Sequence, residues 1–273
     1  MVTTLMALWG CDSNPHARAP VKAPDQTVLE TTPKAKADKG SELIKERWQP
    51  SQQALAMNLL NAPLRYAPGR YSQFMVPAGD ASFPLLVGRK TGQPLAAAGS
   101  KDGRRYLAFG TVPVTYELEP FHDNLKELIG WLVTGQSAAL PRSGALVVTA
   151  NLGSHKDRVA RWLNGKMGDL AVADCELLGL DECLAAADLL IVGGEGTEAQ
   201  GIELVERLKA RAELPVLYFH TPHWKKSAFA TQVLASLELR QGEEGGNYWA
   251  QDAANWVSVP DMFEMRLASL AKP

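Results

Sequence analysis

No feature constrains this chain more than the run Ala187-Asp188-Leu189-Leu190-Ile191-Val192-Gly193-Gly194-Glu195-Gly196-Thr197. Four consecutive branched apolar residues read as a strand buried on both faces, the pattern of a parallel sheet covered by helices above and below. Gly193 and Gly194 allow a sharp turn at its carboxyl end, and Thr197 is placed to cap a helix from about Glu198 to Arg211. In open α/β sheets ligands collect at such ends. The same residues also fit a plain strand-to-helix turn with no chemistry, and both readings stand at this point.

Segments on either side carry the same alternation. Strands are expected at Ala145–Thr149, Leu170–Ala173 and Leu214–Phe219. Helices are expected at Lys156–Asn164 and Ser227–Leu237, with a short helical turn at Leu180–Ala186. This is the pattern of a parallel doubly wound α/β sheet. Upstream, Phe83–Gly88, Leu95–Gly99 and Arg105–Gly110 read as short strands, with Asp102-Gly103 as a tight hairpin turn. Asp123–Leu132 is an amphipathic helix with Leu125, Leu128, Ile129 and Leu132 on one stripe, closed by Gly135. Further helices are expected from Ser41 and Ser51, and a final amphipathic helix from about Pro260.

The amino end is different in kind. Residues 1–11 form a short apolar run ending in Leu8-Trp9-Gly10-Cys11, which resembles the lipobox of bacterial lipoproteins, with Cys11 as the lipid attachment site. No Lys or Arg precedes it, whereas signal peptides normally open with positive charge; an apolar run without that role is the other reading. Residues 12–40 mix Ala, Pro and Lys with almost no large apolar side chains, the composition of a flexible tether. Lipidation leads for that reason. The resulting division is 1–11 as a lipoprotein-type signal segment and 12–40 as tether. Residues 41–140 form a helix and β-hairpin portion, and 141–273 an α/β portion packed with it. Localisation follows as exported, anchored in a bacterial cell envelope or secreted. The net charge of −2 gives no reason to expect nucleic acid as a partner.

The chemistry-bearing residues are few. Asn151, Ser154, Glu195 and His220 follow strands at one sheet edge, with His223 three positions on, and together outline a crevice for a small polar or glycan ligand. The spacing of His220 and His223 lacks the third ligand a zinc hydrolase needs, and His-Glu-x-x-His does not occur. No metal or other cofactor is expected. Cys175 and Cys183 fit either a disulfide in an oxidising compartment or two free thiols.

The strand–helix order resembles the glutamine-amidotransferase-like, flavodoxin-like fold, yet the strand ending at Phe219 leads into His220-Thr221-Pro222, with no Cys or Ser nucleophile elbow. A second resemblance is carried by Gly103–Gly110, Phe121-His122-Asp123-Asn124, Ile129-Gly130-Trp131-Leu132, Asp188–Gly196 and Val216–Trp224. These segments and their order resemble the N-terminal region of the immunomodulating metalloprotease family, enhancin-like zinc peptidases that cleave mucins and O-glycoproteins. The resemblance implies a non-catalytic accessory module, with glycoproteins or a protease domain as partners. The alternatives are a small hydrolase or transferase using the crevice near Glu195 and His220, and a structural envelope lipoprotein.

Overall fold

In a computed structural model of the chain, the residues described are 65–66, 72–88, 93–115, 119–136, 139–222, 225–242, 249–251, 258–260 and 263–264. All belong to one unit, Ala37–Pro273. Cys11, the 12–40 segment, the helices expected from Ser41 and Ser51, and His223 lie outside the described residues.

The strands in chain order are β1 (Arg65–Tyr66), β2 (Met75–Pro77), β3 (Ser82–Gly88), β4 (Pro94–Lys101), β5 (Arg104–Phe109), β6 (Leu146–Ala150) and β7 (Ala171–Cys175). They continue with β8 (Leu189–Gly193), β9 (Val216–Phe219), β10 (Leu239–Gln241), β11 (Trp249–Gln251), β12 (Ser258–Pro260) and β13 (Phe263–Glu264). The described helices are α1 (Glu119–Thr134), α2 (Lys156–Lys166), α3 (Leu180–Ala185), α4 (Glu198–Ala210) and α5 (Ala228–Ser236).

One sheet dominates, in the order β1-β13-β3-β4-β5-β9-β8-β6-β7. From β5 to β7 the pairing is parallel. From β5 outward through β4, β3 and β13 it is antiparallel. The parallel strands therefore do not stand alone. The hairpin of the first portion is fused to their edge, with Tyr106 beside Val216 and Phe109 beside Phe219. Its turn residues Asp102 and Gly103 have φ of 52° and 85°, the left-handed pair that matches the twist of the flanking strands.

Alternation along the strands sorts the core into two layers. Leu189, Ile191, Leu217 and Phe219 face α1 and α2, meeting Leu128, Trp131, Val159 and Leu163. Leu190, Val192, Val216 and Tyr218 face the other way, onto Leu184, Leu204, Phe229 and Val233 of α3, α4 and α5. All five residues of β8 are buried, which is why that strand shows no polar alternation in sequence.

Helix limits follow local chemistry. Thr197 and Gln200 form a reciprocal capping box at the start of α4, and Ser227 Oγ accepts from Ala230 N at 3.2 Å to start α5. The carboxyl end of α1 is closed by Gly135 at φ 77°, whose N–H donates to the Trp131 carbonyl at 2.8 Å. One expectation is corrected. Where a helix was expected from Pro260, the described residues are strands β12 and β13. Apolar spacing over so short a segment cannot separate a helix from strands, and here pairing decided, Phe263 aligning with Gly88 of β3.

Candidate functional site at the carboxyl edge of the parallel strands

Strand β6 lies between β7 on one side and β8 on the other. The chain thus reverses its direction of travel at β6, the position where doubly wound sheets open a crevice between neighbouring loops. Two loops meet there, residues 151–155 after β6 and 194–197 after β8.

Their approach is close enough to dictate residue type. A Cβ added at Gly193 would run into the Asn151 carbonyl oxygen, and one at Gly194 into the Tyr218 hydroxyl. Asn151 holds φ at 57°, a left-handed conformation that Asn tolerates better than most residues. Its Nδ2 donates to the Glu195 carbonyl oxygen, stitching the two loops together. Gly194 N–H donates to Thr221 Oγ1 at 3.0 Å, tying in the loop after β9.

The expected crevice residues divide. Asn151 and Glu195 come together as described, and the Glu195 carboxylate sits 3.4 Å from where a Gly153 side chain would begin. Ser154 is exposed in the single turn Gly153–His155 that precedes α2. His220 does not face a crevice. It is 1% exposed, its Nδ1 lies 2.8 Å from the Tyr218 hydroxyl, and its Nε2 lies 2.9 Å from the Lys225 carbonyl oxygen. A carbonyl only accepts, so Nε2 carries the proton and Tyr218 donates to Nδ1. Burial pushes the Tyr218 phenol well above its ordinary range, keeping it a neutral donor. His220 is thus a buried brace for the loop leading to α5, unavailable as a surface base. The crevice reading placed it wrongly because residues two apart on a strand share a face, and Tyr218 turns inward.

An open groove of about 630 Å³ does exist at this edge, displaced toward β7. Asn151, Gly153 and Lys156 form one side, Asp174 to Leu178 the other, with Gln200 and Glu203 of α4 at its end. Lys156 Nζ and an Asp174 carboxylate oxygen are 3.4 Å apart across it, both largely exposed. The Thr149 hydroxyl donates to the other Asp174 oxygen at 3.0 Å. Behind the wall, Cys175 and Cys183 are joined as a disulfide with Cα atoms 6.6 Å apart. Lys156, Asp174, Gln200 and Glu203 were not singled out from sequence. Their signal was position alone: Asp174 near the end of β7, Lys156 at the start of α2, and Gln200 and Glu203 in the first half of α4. Among the described residues, no group of three or more His, Cys, Asp or Glu is arranged to hold a metal ion.

Residues 54–248 match the family described as the immunomodulating metalloprotease N-terminal domain. The chain belongs to this family. Over 199 residues it is 35% identical to the immunomodulating metalloprotease of Pseudomonas aeruginosa, a stretch that is 70% of this chain and 21% of the relative. The chain therefore spans about a fifth of that relative's length. Solved structures agree. IMPa from Pseudomonas aeruginosa in complex with an O-glycopeptide is matched at TM-score 0.63 and 30% identity, over 82% of this chain and 24% of that one. IMPa metallopeptidase in complex with T-antigen is matched at TM-score 0.64 and 29% identity, over 85% and 25%. The resemblance expected from the segment order is the family found.

Proposed function

We propose that this stretch is a non-catalytic accessory domain of a metalloprotease system directed at O-glycosylated proteins, working beside a catalytic portion rather than supplying the chemistry itself. The family match over residues 54–248 carries the reading. Two features support it. The sequence contains no His-Glu-x-x-His, the pattern a zinc peptidase of this kind needs. The solved relatives, described as complexes with an O-glycopeptide and with T-antigen, make an O-linked glycan or the peptide that bears it the first ligand class to try.

Export and lipid anchoring through Cys11 belong to the same proposal. A disulfide between Cys175 and Cys183 fits an oxidising compartment, and the low-complexity 12–40 segment fits a tether. The parallel half is read as a flavodoxin-like scaffold, with 41–140 and 141–273 packed as one unit behind the tether.

The deciding experiment incubates the chain with a T-antigen-bearing peptide, its unglycosylated twin, casein and mucin. Binding and cleavage are followed with and without a chelator. Glycopeptide binding without cleavage is the expected result. Chelator-sensitive cleavage by this chain alone overturns the non-catalytic reading. For the anchor, labelled palmitate should enter the wild type and not Cys11→Ser; equal labelling of both refutes attachment there.

A further inference from the structure

The groove's β7-side wall has little to hold it. Among the described residues β7 ends the sheet and pairs with β6 alone; its side chains are part-buried or exposed throughout. It runs into a three-residue 3-10 turn, Leu177–Gly179, whose flanking residue Glu176 makes no side-chain cap. Turns this short are not stable by themselves. Leu178, at the lip of the groove, is 88% exposed and contributes no packing. An edge strand ending in an uncapped turn belongs to the low end of local stability within a fold.

Besides the pairing with β6 and the contacts of Asp174 to Thr149 and Lys156, three tethers act on this wall. The Arg207 guanidinium donates to the Leu177 carbonyl. Leu177 packs partly against the core layer beneath it. The third is covalent: Cys175, the last residue of β7, is bonded to Cys183 in α3. α3 is itself a fixed point, because Leu180 and Leu184 are buried at 0% and 2% exposure. The Arg211 guanidinium also donates to the Leu184 and Ala187 carbonyls. The bridge therefore joins a loosely held edge to a firmly held helix. Both cysteines are part-buried, within reach of a small thiol.

We infer that the Cys175–Cys183 bridge is a redox-controlled clamp on the groove: oxidised, it fixes the wall from Asp174 to Leu178 onto α3; reduced, it frees that wall while the rest of the sheet stays folded. The opening step is ordinary thiol–disulfide exchange with an external dithiol. A thiolate of the dithiol attacks one protein sulfur, the S–S bond breaks, and the other protein sulfur leaves as thiolate and takes a proton. The second thiol of the reductant then closes its own ring and releases the first protein sulfur. Two electrons pass to the protein, which ends with two thiols, and the dithiol ends as a cyclic disulfide. The groove is thus complete only where the chain is kept oxidised.

Hydrogen–deuterium exchange on the full chain, with and without dithiothreitol, tests this. Mass spectrometry after alkylation verifies that Cys175 and Cys183 have both become thiols. Amides of residues 172–179 should exchange at least tenfold faster on reduction, while those of β6, β8 and β9 change less than twofold. The Cys175→Ser, Cys183→Ser double variant should show the same local pattern without reductant. Unchanged exchange at 172–179 would mean that the pairing with β6 and the noncovalent contacts suffice, and the clamp is refuted. Loss of protection spreading through β8 and β9 would equally refute it, since the bridge would then support the whole sheet. Reduction of the wild type decides the matter even if the variant fails to accumulate.

Discussion

A single methyl group is a sharp probe of the turn after β8. Alanine at Gly194 must displace the Tyr218 hydroxyl, and overpacking of that kind costs about 1–3 kcal/mol. Tyr218→Phe alone removes the donor to His220 Nδ1 and should cost about 1–3 kcal/mol for a buried acceptor left unmet. Combined, the two changes should be less harmful than their sum, because the phenylalanine removes the atom that alanine strikes. Urea midpoints of the two single variants and the double measure the coupling; strict additivity would show that the hydroxyl does not set the glycine. Much of this turn was legible. Adjacent glycines after an apolar run announced it, and Thr197 announced the helix. The reason for two glycines was not legible, since Asn151 reaches the turn from the loop after β6 and Tyr218 from β9. The same blindness put His220 in the crevice: its partner, the Lys225 carbonyl, is a backbone atom that no side-chain motif reveals.

Among the elements, β5 couples the two helical layers through consecutive arginines. Neighbouring strand residues point to opposite faces, so Arg104 and Arg105 reach opposite sides of the sheet. Arg104 donates to the Leu208, Arg211 and Leu214 carbonyls at the end of α4. Arg105 donates from Nε to the Leu132 carbonyl at 2.7 Å and from Nη2 to the Val133 carbonyl at 3.0 Å, closing α1. Arg105 satisfies carbonyls that the end of α1 leaves open, Arg104 adds a second donor to the Leu208 and Arg211 carbonyls, and both charges suit the negative poles there. Replacing Arg105 by Ala should destabilise by about 1–3 kcal/mol, and Lys should rescue only part, since an ammonium cannot span two carbonyls as a planar fork does. Thermal or urea unfolding checks this, and full rescue by Lys would point to charge alone. Hairpin, helices and parallel strands were largely readable from apolar periodicity and the Asp-Gly turn. The antiparallel pairing of β2 with β10 was not, because three-residue strands carry too little pattern. Nor was the docking of the hairpin onto β9, which depends on partners far along the chain.

For the molecule as a whole, the Lys101–Glu238 pair links the hairpin to the loop after α5, with Nζ 2.6 Å from Oε1. Glu238 Oε2 also accepts from Ala81 N at 3.0 Å. The hydrogen bond from Lys101, aided by that backbone N–H, holds the Glu238 carboxyl below its usual range. The Glu238 carboxylate in turn raises the Lys101 ammonium. A depressed carboxyl stabilises above its unfolded pKa, and the benefit is lost as pH falls through the folded value. A raised ammonium stabilises below its unfolded pKa and loses the benefit as pH rises through the folded one. The link should therefore act fully between about pH 4.3 and 10.4. Lys101 is 42% exposed, so screening keeps the contribution below about 1 kcal/mol and lets salt weaken it. Glu238→Gln should flatten the acid limb of the stability–pH curve below about pH 4.3; an unchanged slope there would remove this pair from the account.

The position of β9 has a kinetic consequence. Its neighbours lie at very different distances upstream, β8 shortly before it and β5 far earlier, as the Arg104–Leu214 link across 110 residues illustrates. A polypeptide emerging amino end first holds β5 and β8 with bare inner edges until Val216–Phe219 arrives to fill the gap between them. Closing so long a loop is entropically slow, and open apolar edges invite pairing with other chains meanwhile. The centre of the sheet thus closes only after both of its flanks have been made, and nascent chains that stop short of Phe219 should be the ones that need a chaperone.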